Sequence, residues 1–155
     1  MTYVVAAEGT ARDDMRALVT EHLEEMIAMA APQMSHALDL TGLADPQITL
    51  YGMRRDDGVL VACGALKELP GHVGEVKTMR VAESVRGRGV GGEMLDFLIS
   101  QARERGYTEL YLETGTEDFF ETARAMYRSR GFVECGPFGN YRVDPHSYFM
   151  VLSPV

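Results

Sequence analysis

The sequence predicts an α+β fold: a mixed, mainly antiparallel sheet of about six or seven strands, flanked by about four helices around a single core. Three features point to it. Apolar, β-rich runs crowd between residues 48 and 81 with turn residues between them, which reads as an antiparallel meander. After residue 89 helical stripes alternate with short strands, which demands crossover connections. The chain has 155 residues, 46% hydrophobic and 25% charged, near the common size of one compact domain, so residues 1–155 are read as one.

Tyr3 to Ala7 reads as a short strand. Gly9-Thr10 then leads into a helix with Met15, Leu18, Val19, Leu23, Met26 and Ile27 on one stripe, ended by Pro32. Ser35 to Leu43 is expected to form a short second helix with a serine cap, closed by Gly42 and a turn at Asp45-Pro46. Ile48 to Met53 and Val59 to Leu66 flank Arg54-Arg55-Asp56-Asp57-Gly58, and Asp-Gly between such runs signals a hairpin. Val73 to Val81 follows Pro70-Gly71 and should pair beside them. Gly89 to Arg105 carries Met94, Leu95, Leu98, Ile99 and Ala102 at helical spacing, with Gly106 as its stop. Tyr107 to Leu112 returns as a strand. Phe119, Phe120, Ala123, Met126 and Tyr127 form the last helical stripe, closed by Gly131, before the strands Phe132 to Cys135 and Tyr148 to Leu152.

A formal net charge of -8 argues against a nucleic-acid partner or an anionic membrane, since either needs a basic face. An amine-bearing partner fits better. Arginines nevertheless cluster between Arg80 and Arg88 and between Arg124 and Arg130, so a phosphate ligand stays open. Cys63 and Cys135 sit in apolar runs without metal or redox spacing, and read as buried free thiols; no metal is expected. The start, Met1-Thr2-Tyr3-Val4-Val5, lacks signal-peptide character, and no apolar run approaches the ~20 residues that span a bilayer. A cytoplasmic location is the expectation.

The segment Arg86-Gly87-Arg88-Gly89-Val90-Gly91-Gly92 follows one expected strand and starts a helix, so unpaired N–H groups and the positive end of the helix dipole converge there. Its glycines let a ligand approach the backbone closely, and Arg86 and Arg88 can add charge-assisted bonds to phosphate oxygens. A flexible loop that binds nothing is the plain alternative. Gly87-x-Gly89-x-x-Gly92 also matches the dinucleotide fingerprint, with Glu109 or Glu113 about 20 residues on. Against that reading, Ala82-Glu83-Ser84-Val85 separates the turn from its strand, and too little chain follows for a second nucleotide-binding half.

These residues resemble the pyrophosphate motif of the GNAT superfamily of acetyl-CoA-dependent N-acetyltransferases, (Arg or Gln)-x-x-Gly-x-(Gly or Ala), with Arg86, Gly89 and Gly91 in register. Met79-Arg80-Val81 upstream and Ala123-x-x-x-Tyr127-x-x-x-Gly131-Phe132 downstream extend the resemblance over nearly the whole chain, from Tyr3 to Leu152. It implies a GNAT-like fold with acetyl-CoA as cosubstrate. The strand through Met79 and Val81 would pair with the pantetheine arm, and Arg86, Gly87, Arg88, Gly89, Val90, Gly91 and Gly92 would hold the diphosphate. One departure is Phe120, nearest by spacing to an asparagine that many members carry in their fourth helix; Glu113-Thr114-Gly115-Thr116-Glu117 is the segment that could replace its contact.

Acetyl transfer to an amine needs a neutral nucleophile, whereas an alkylamine of pKa near ~10.4 is protonated at neutral pH. Glu75 aligns with the glutamate some members use as general base, and strand alternation puts it on the face of Lys77, Met79 and Val81. Its bland alternative is a strand residue paired with Lys77. The Met79 N–H could steady an oxyanion, and Tyr127, at the family's tyrosine position, could protonate the thiolate. On periodicity alone Tyr127 reads as core packing.

The resemblance implies that the acceptor enters between the first two helices and the loop joining the last two strands. Ser35, His36, Tyr141, Arg142, Asp144 and His146 are the candidate substrate-binding residues there, with Arg142 or a histidine for a carboxylate and Asp144 for the amine. A small amino-acid-like or polar amine is expected as acceptor. A protein N-terminus or lysine, and a sensor that binds acyl-CoA without turnover, stay open as alternatives, as does a homodimer paired through exposed strands.

Overall fold

The structure is a computed structural model and describes residues 2–29 and 37–155. Seven strands form one sheet: β1 (Tyr3–Ala7), β2 (Ile48–Arg55), β3 (Leu60–Leu69), β4 (Val73–Val81), β5 (Glu109–Gly115), β6 (Val133–Cys135) and β7 (Ser147–Leu152). Their order is β1-β2-β3-β4-β5-β7-β6, antiparallel throughout except for the parallel pair β4 and β5. That one parallel step follows from the crossover through α2 (Val90–Glu104), since a parallel neighbour cannot be reached by a hairpin. The remaining helices among the described residues are α1 (Asp13–Met29) and α3 (Glu121–Ser129).

Helix α1 opens with Asp13 and Asp14, whose charges suit the positive end of its dipole. It lays Met15, Leu18 and Val19 on one sheet face, against Leu50, Cys63 and Ala65. The opposite face receives Met94, Leu95, Leu98 and Ala102 of α2, together with Tyr127 of α3 and Phe132, against Val61, Leu66 and Val76. Strand β3 is thus covered on both faces, and six consecutive residues from Val61 to Leu66 are buried. Gly64 is required at the α2 contact. A Cβ there would stand 2.9 Å from a Leu98 methyl and 3.0 Å from the Met79 sulfur, closer than packed atoms tolerate.

Two arginines hold α1 to the sheet by charge. Arg54 bonds Glu8 and Asp14, and Arg80 bonds Glu21 and Glu25, with side chains only 11% and 5% exposed. Charges this buried persist because each is paired.

The expected second helix at Ser35 to Leu43 is corrected within the described residues. Residues 37–39 carry no helix, and a single 3-10 turn covers Gly42–Ala44. Asp39 explains it: its carboxylate accepts the Gly42 N–H at 2.7 Å, a local bond that competes with helical pairing. Phe119 and Phe120 likewise fall in a 3-10 turn ahead of α3, and Phe119 stands outside the buried stripe. Cys63 is buried as expected; Cys135 is half-buried. No helix among the described residues is long and apolar enough to cross a membrane.

Candidate active site

Strands β4 and β5 pair from Val73 and Glu109 only as far as Glu75 and Tyr111, although β4 runs on to Val81 and β5 to Gly115. Past that point they diverge, and a cleft of about 710 Å³ opens between them, bounded by α1, the start of α2 and one side of α3. Unpaired strand edges inside a cleft can bond an extended ligand through the backbone.

A bulge in β4 shapes the cleft wall. Pairing with β3 shifts between Ala65 with Lys77 and Cys63 with Arg80, so Gly64 faces the two residues Thr78 and Met79. Thr78 sits at φ 54°, and its carbonyl accepts the Cys63 thiol at 3.3 Å. The extra residue reverses the side-chain alternation. Lys77 and Arg80 lie opposite Ala65 and Cys63, on the α1 face, whereas Met79 and Val81 pack into the α2 cluster. The expectation that Glu75, Lys77, Met79 and Val81 share one face is therefore corrected: Glu75 and Lys77 share the α1 face, and Met79 and Val81 turn to the other.

At one end of the cleft, Gly87 and Gly89 take φ 78° and 80°, conformations that L side chains avoid. Gly89 occupies the position before α2, and its carbonyl accepts the Glu93 N–H at 3.1 Å. The N–H groups from Gly89 to Gly92 then have no intrahelical acceptor, and with the helix dipole they form an anion-binding end. Arg86, Gly87, Gly89, Val90, Gly91 and Gly92 line the cleft; the exposed Arg88 does not. Gly92 also makes room for a neighbour unforeseen from sequence, because a Cβ would strike the Arg130 guanidinium. Arg130 reaches the cleft from just beyond α3 and is held by Asp96 at 3.0 Å.

Glu75 is 3% exposed and sits at the other end, with Lys77 Nζ 3.1 Å from its Oε2. The Tyr141 hydroxyl donates to the same oxygen at 2.6 Å. Tyr127 lines the cleft from α3, edge-on to Phe132, and burial pushes its hydroxyl up to about 12, so it is a neutral donor at pH 7. Phe120 packs onto Gly115, where any Cβ would meet its ring, so an apolar contact stands in this part of the wall.

Of the candidate substrate residues, Ser35 and His36 lie outside the described residues. Tyr141 joins Glu75. His146 lines the cleft with its Nδ1 3.1 Å from Glu117 Oε1. Arg142 and Asp144 are not brought to the cleft wall: Arg142 is exposed, and Asp144 accepts the His146 N–H at 2.8 Å, a bond within its own turn. The reach of such loop residues depends on turn geometry that their spacing does not disclose.

Sequence reasoning missed His22, Glu25 and Met26, which bring α1 to the cleft. The signal was present, since His22 falls on the apolar stripe four residues after Leu18. Burial, then the positive charge of Arg80, holds His22 down to about 4, while Glu25 pulls the other way; the His22 Nδ1 has no hydrogen-bond partner among the described residues. A histidine so depressed favours folding only above its unfolded pKa near ~6.5, and that contribution disappears as pH falls toward 4. The melting temperature should accordingly decline between pH 6.5 and 4.5, and His22→Leu should flatten that decline in a series of thermal melts.

With the geometry in hand, the chain can be set beside known proteins. The family model described as "Acetyltransferase (GNAT) family" matches residues 12–132. The chain is 46% identical over 133 residues to YsnE of Bacillus subtilis, named an uncharacterized N-acetyltransferase, covering 86% of this chain and 87% of that one. A Klebsiella pneumoniae structure assigned as an acyl-CoA N-acyltransferase superposes with a TM-score of 0.80 at 24% identity, over 99% of this chain and 98% of that chain. A Bacillus subtilis acetyltransferase solved in complex with CoA superposes with a TM-score of 0.70 at 16% identity, over 99% and 100% of the two chains. At these identities the two structures speak for the fold.

Proposed function

The chain belongs to the GNAT family of acetyltransferases, and from that premise we propose that it moves the acetyl group of acetyl-CoA to a small primary amine by direct attack in a ternary complex. The divergence of β4 from β5 beyond Glu75 carries the reading, because it sets unpaired backbone beside the amide-rich start of α2. The residues present suit CoA. Gly89 to Gly92 and Arg86 would hold its diphosphate, and the β4 edge from Met79 to Val81 would bond the pantetheine arm; the CoA in the Bacillus subtilis neighbour supports CoA as the ligand class. Arg88, exposed and outside the cleft, would act at most on the outer phosphate surface.

In this reading Glu75 removes the proton from the acceptor ammonium, directly or through a water. The Met79 amide steadies the oxyanion, and the neutral Tyr127 hydroxyl returns a proton to the departing thiolate. The base acts from the α1 face of β4, whereas Tyr127 lies on the α2 side. His146 and Glu75, which Tyr141 hydrogen-bonds, mark the acceptor half of the cleft, and an amino-acid-like or polar amine suits the mixture of Glu75, Lys77, Glu117 and His146 there. Work as one domain in the cytoplasm completes the reading.

Release of thiol from acetyl-CoA in the presence of pooled amino acids and aliphatic amines is the expected result, with Glu75→Gln reducing it by about a hundredfold or more. Binding of CoA without thiol release across that pool, and with peptide amines, would replace the enzyme reading by that of an acyl-CoA sensor.

A further inference from the structure

Three polar groups at the acceptor end of the cleft close into a ring. Tyr141 Oη donates to Glu75 Oε2 at 2.6 Å, Lys77 Nζ donates to that oxygen at 3.1 Å, and Lys77 also donates to Tyr141 Oη at 2.8 Å. Each bond has a proton to supply it: the ammonium gives two, the phenol one, and the carboxylate only accepts. Glu75 and Lys77 come from β4, whereas Tyr141 arrives from the loop between β6 and β7, 66 residues away from Glu75.

An aromatic cluster docks that loop. Phe138 stacks on Tyr111 of β5 with ring centres 4.7 Å apart, meets Tyr141 at 5.0 Å and meets Phe149 of β7 at 5.8 Å. The hydroxyl of Tyr141 is therefore aimed by rings rooted in two strands of the sheet. The side chains of Glu75 and Lys77 are only 4% and 10% exposed, so water dilutes these contacts little.

We propose that Tyr141 and Lys77 are positioning residues for Glu75: together they fix the orientation of its carboxylate, and they make proton removal depend on the docked loop between β6 and β7. The inference rests on the reading of Glu75 as the proton acceptor. Burial first, and then the charge of Glu75, raises the Tyr141 hydroxyl far above the ordinary phenol range, so it stays a neutral donor. Among the described residues the other titratable or charged groups around Glu75 are Lys67, its partner on β3, Tyr111, its partner on β5, Glu113 further along β5, and Arg80, Glu117 and His146 of the cleft wall. His22 and Glu25 face the same cleft from α1. Among the described residues Lys77 and Tyr141 are the groups that hydrogen-bond Glu75 directly.

The test follows the Glu75 carboxyl by carbon-13 NMR on the whole chain saturated with CoA, so it needs no knowledge of the acceptor. Tyr141→Phe removes one oxygen and keeps the ring in its cluster. It should move the Glu75 titration midpoint upward, because a hydrogen bond to the charged form is lost. Lys77→Met should do the same, with Lys77→Arg restoring much of the wild-type midpoint. In thiol-release assays the acidic limb of kcat/KM should move upward with the midpoint while CoA affinity is unchanged. A role confined to packing would lower the melting temperature and leave the midpoint in place. An unmoved midpoint in folded Tyr141→Phe overturns the proposal, even where Glu75→Gln abolishes turnover. A Glu75→Gln variant with wild-type rate and pH profile would instead remove the reading of Glu75 as the base, and this inference with it.

Discussion

Gly89→Val is expected to weaken CoA binding by about a hundredfold while leaving the fold in place. Residue 89 precedes α2 at φ 80°, where a β-branched side chain costs on the order of 1–2 kcal/mol or forces the backbone into another conformation. A changed backbone would also turn aside the N–H groups between Gly89 and Gly92, and hydrogen bonds to a charged ligand contribute about 1.5–3 kcal/mol each. A total near ~3 kcal/mol corresponds to about two decades in Kd. Apart from the adjoining residues, no described residue comes within 4 Å of a Cβ built at Gly89, so the substitution disturbs no core contact among them. Calorimetric titration of CoA measures the effect, and near-native affinity with an unchanged melting temperature would mean that the diphosphate is held elsewhere.

Tyr127→Phe is expected to lower kcat by about 10²–10⁴-fold and to leave CoA affinity within about twofold, because only a proton transfer made in the transition state is lost. The ring keeps its edge contact with Phe132, so the wall of the cleft survives. Burial holds the phenol up at about 12, so Tyr127 is a neutral hydrogen-bond donor throughout the working range, available to the sulfur as it gains negative charge. Steady-state kinetics with CoA binding measured in parallel separates the two effects. Equal turnover in both proteins would remove Tyr127 from the chemistry and return it to core packing.

Much of the fold was legible because its signals are short-ranged. The helical stripe of Met94, Leu95, Leu98, Ile99 and Ala102 predicts α2, and the structure buries all five. The Asp57-Gly58 turn predicts the hairpin, and β2 and β3 pair across it. The stretch from Ser35 to Leu43 misled in its described part, because a serine cap and a closing Gly42 read as helix while the Asp39 side chain bonds Gly42 locally. The face of Met79 misled for a different reason. Alternation along β4 holds only while the register with β3 holds, and Gly64 opposite Thr78 and Met79 breaks it.

By itself the sequence determined the glycine turn ahead of α2, since glycines at 87 and 89 permit positive φ values through their own missing Cβ atoms, whatever surrounds them. It also determined the order of strands and helices along the chain, and the resemblance that named the family. Only the tertiary structure decided which side chains meet in the cleft. Tyr141 reaches Glu75, and His22 and Arg130 join the wall, through strand register and loop docking between residues dozens of positions apart. Those meetings depend on relative placement of distant backbone, a property that no local pattern of residues carries.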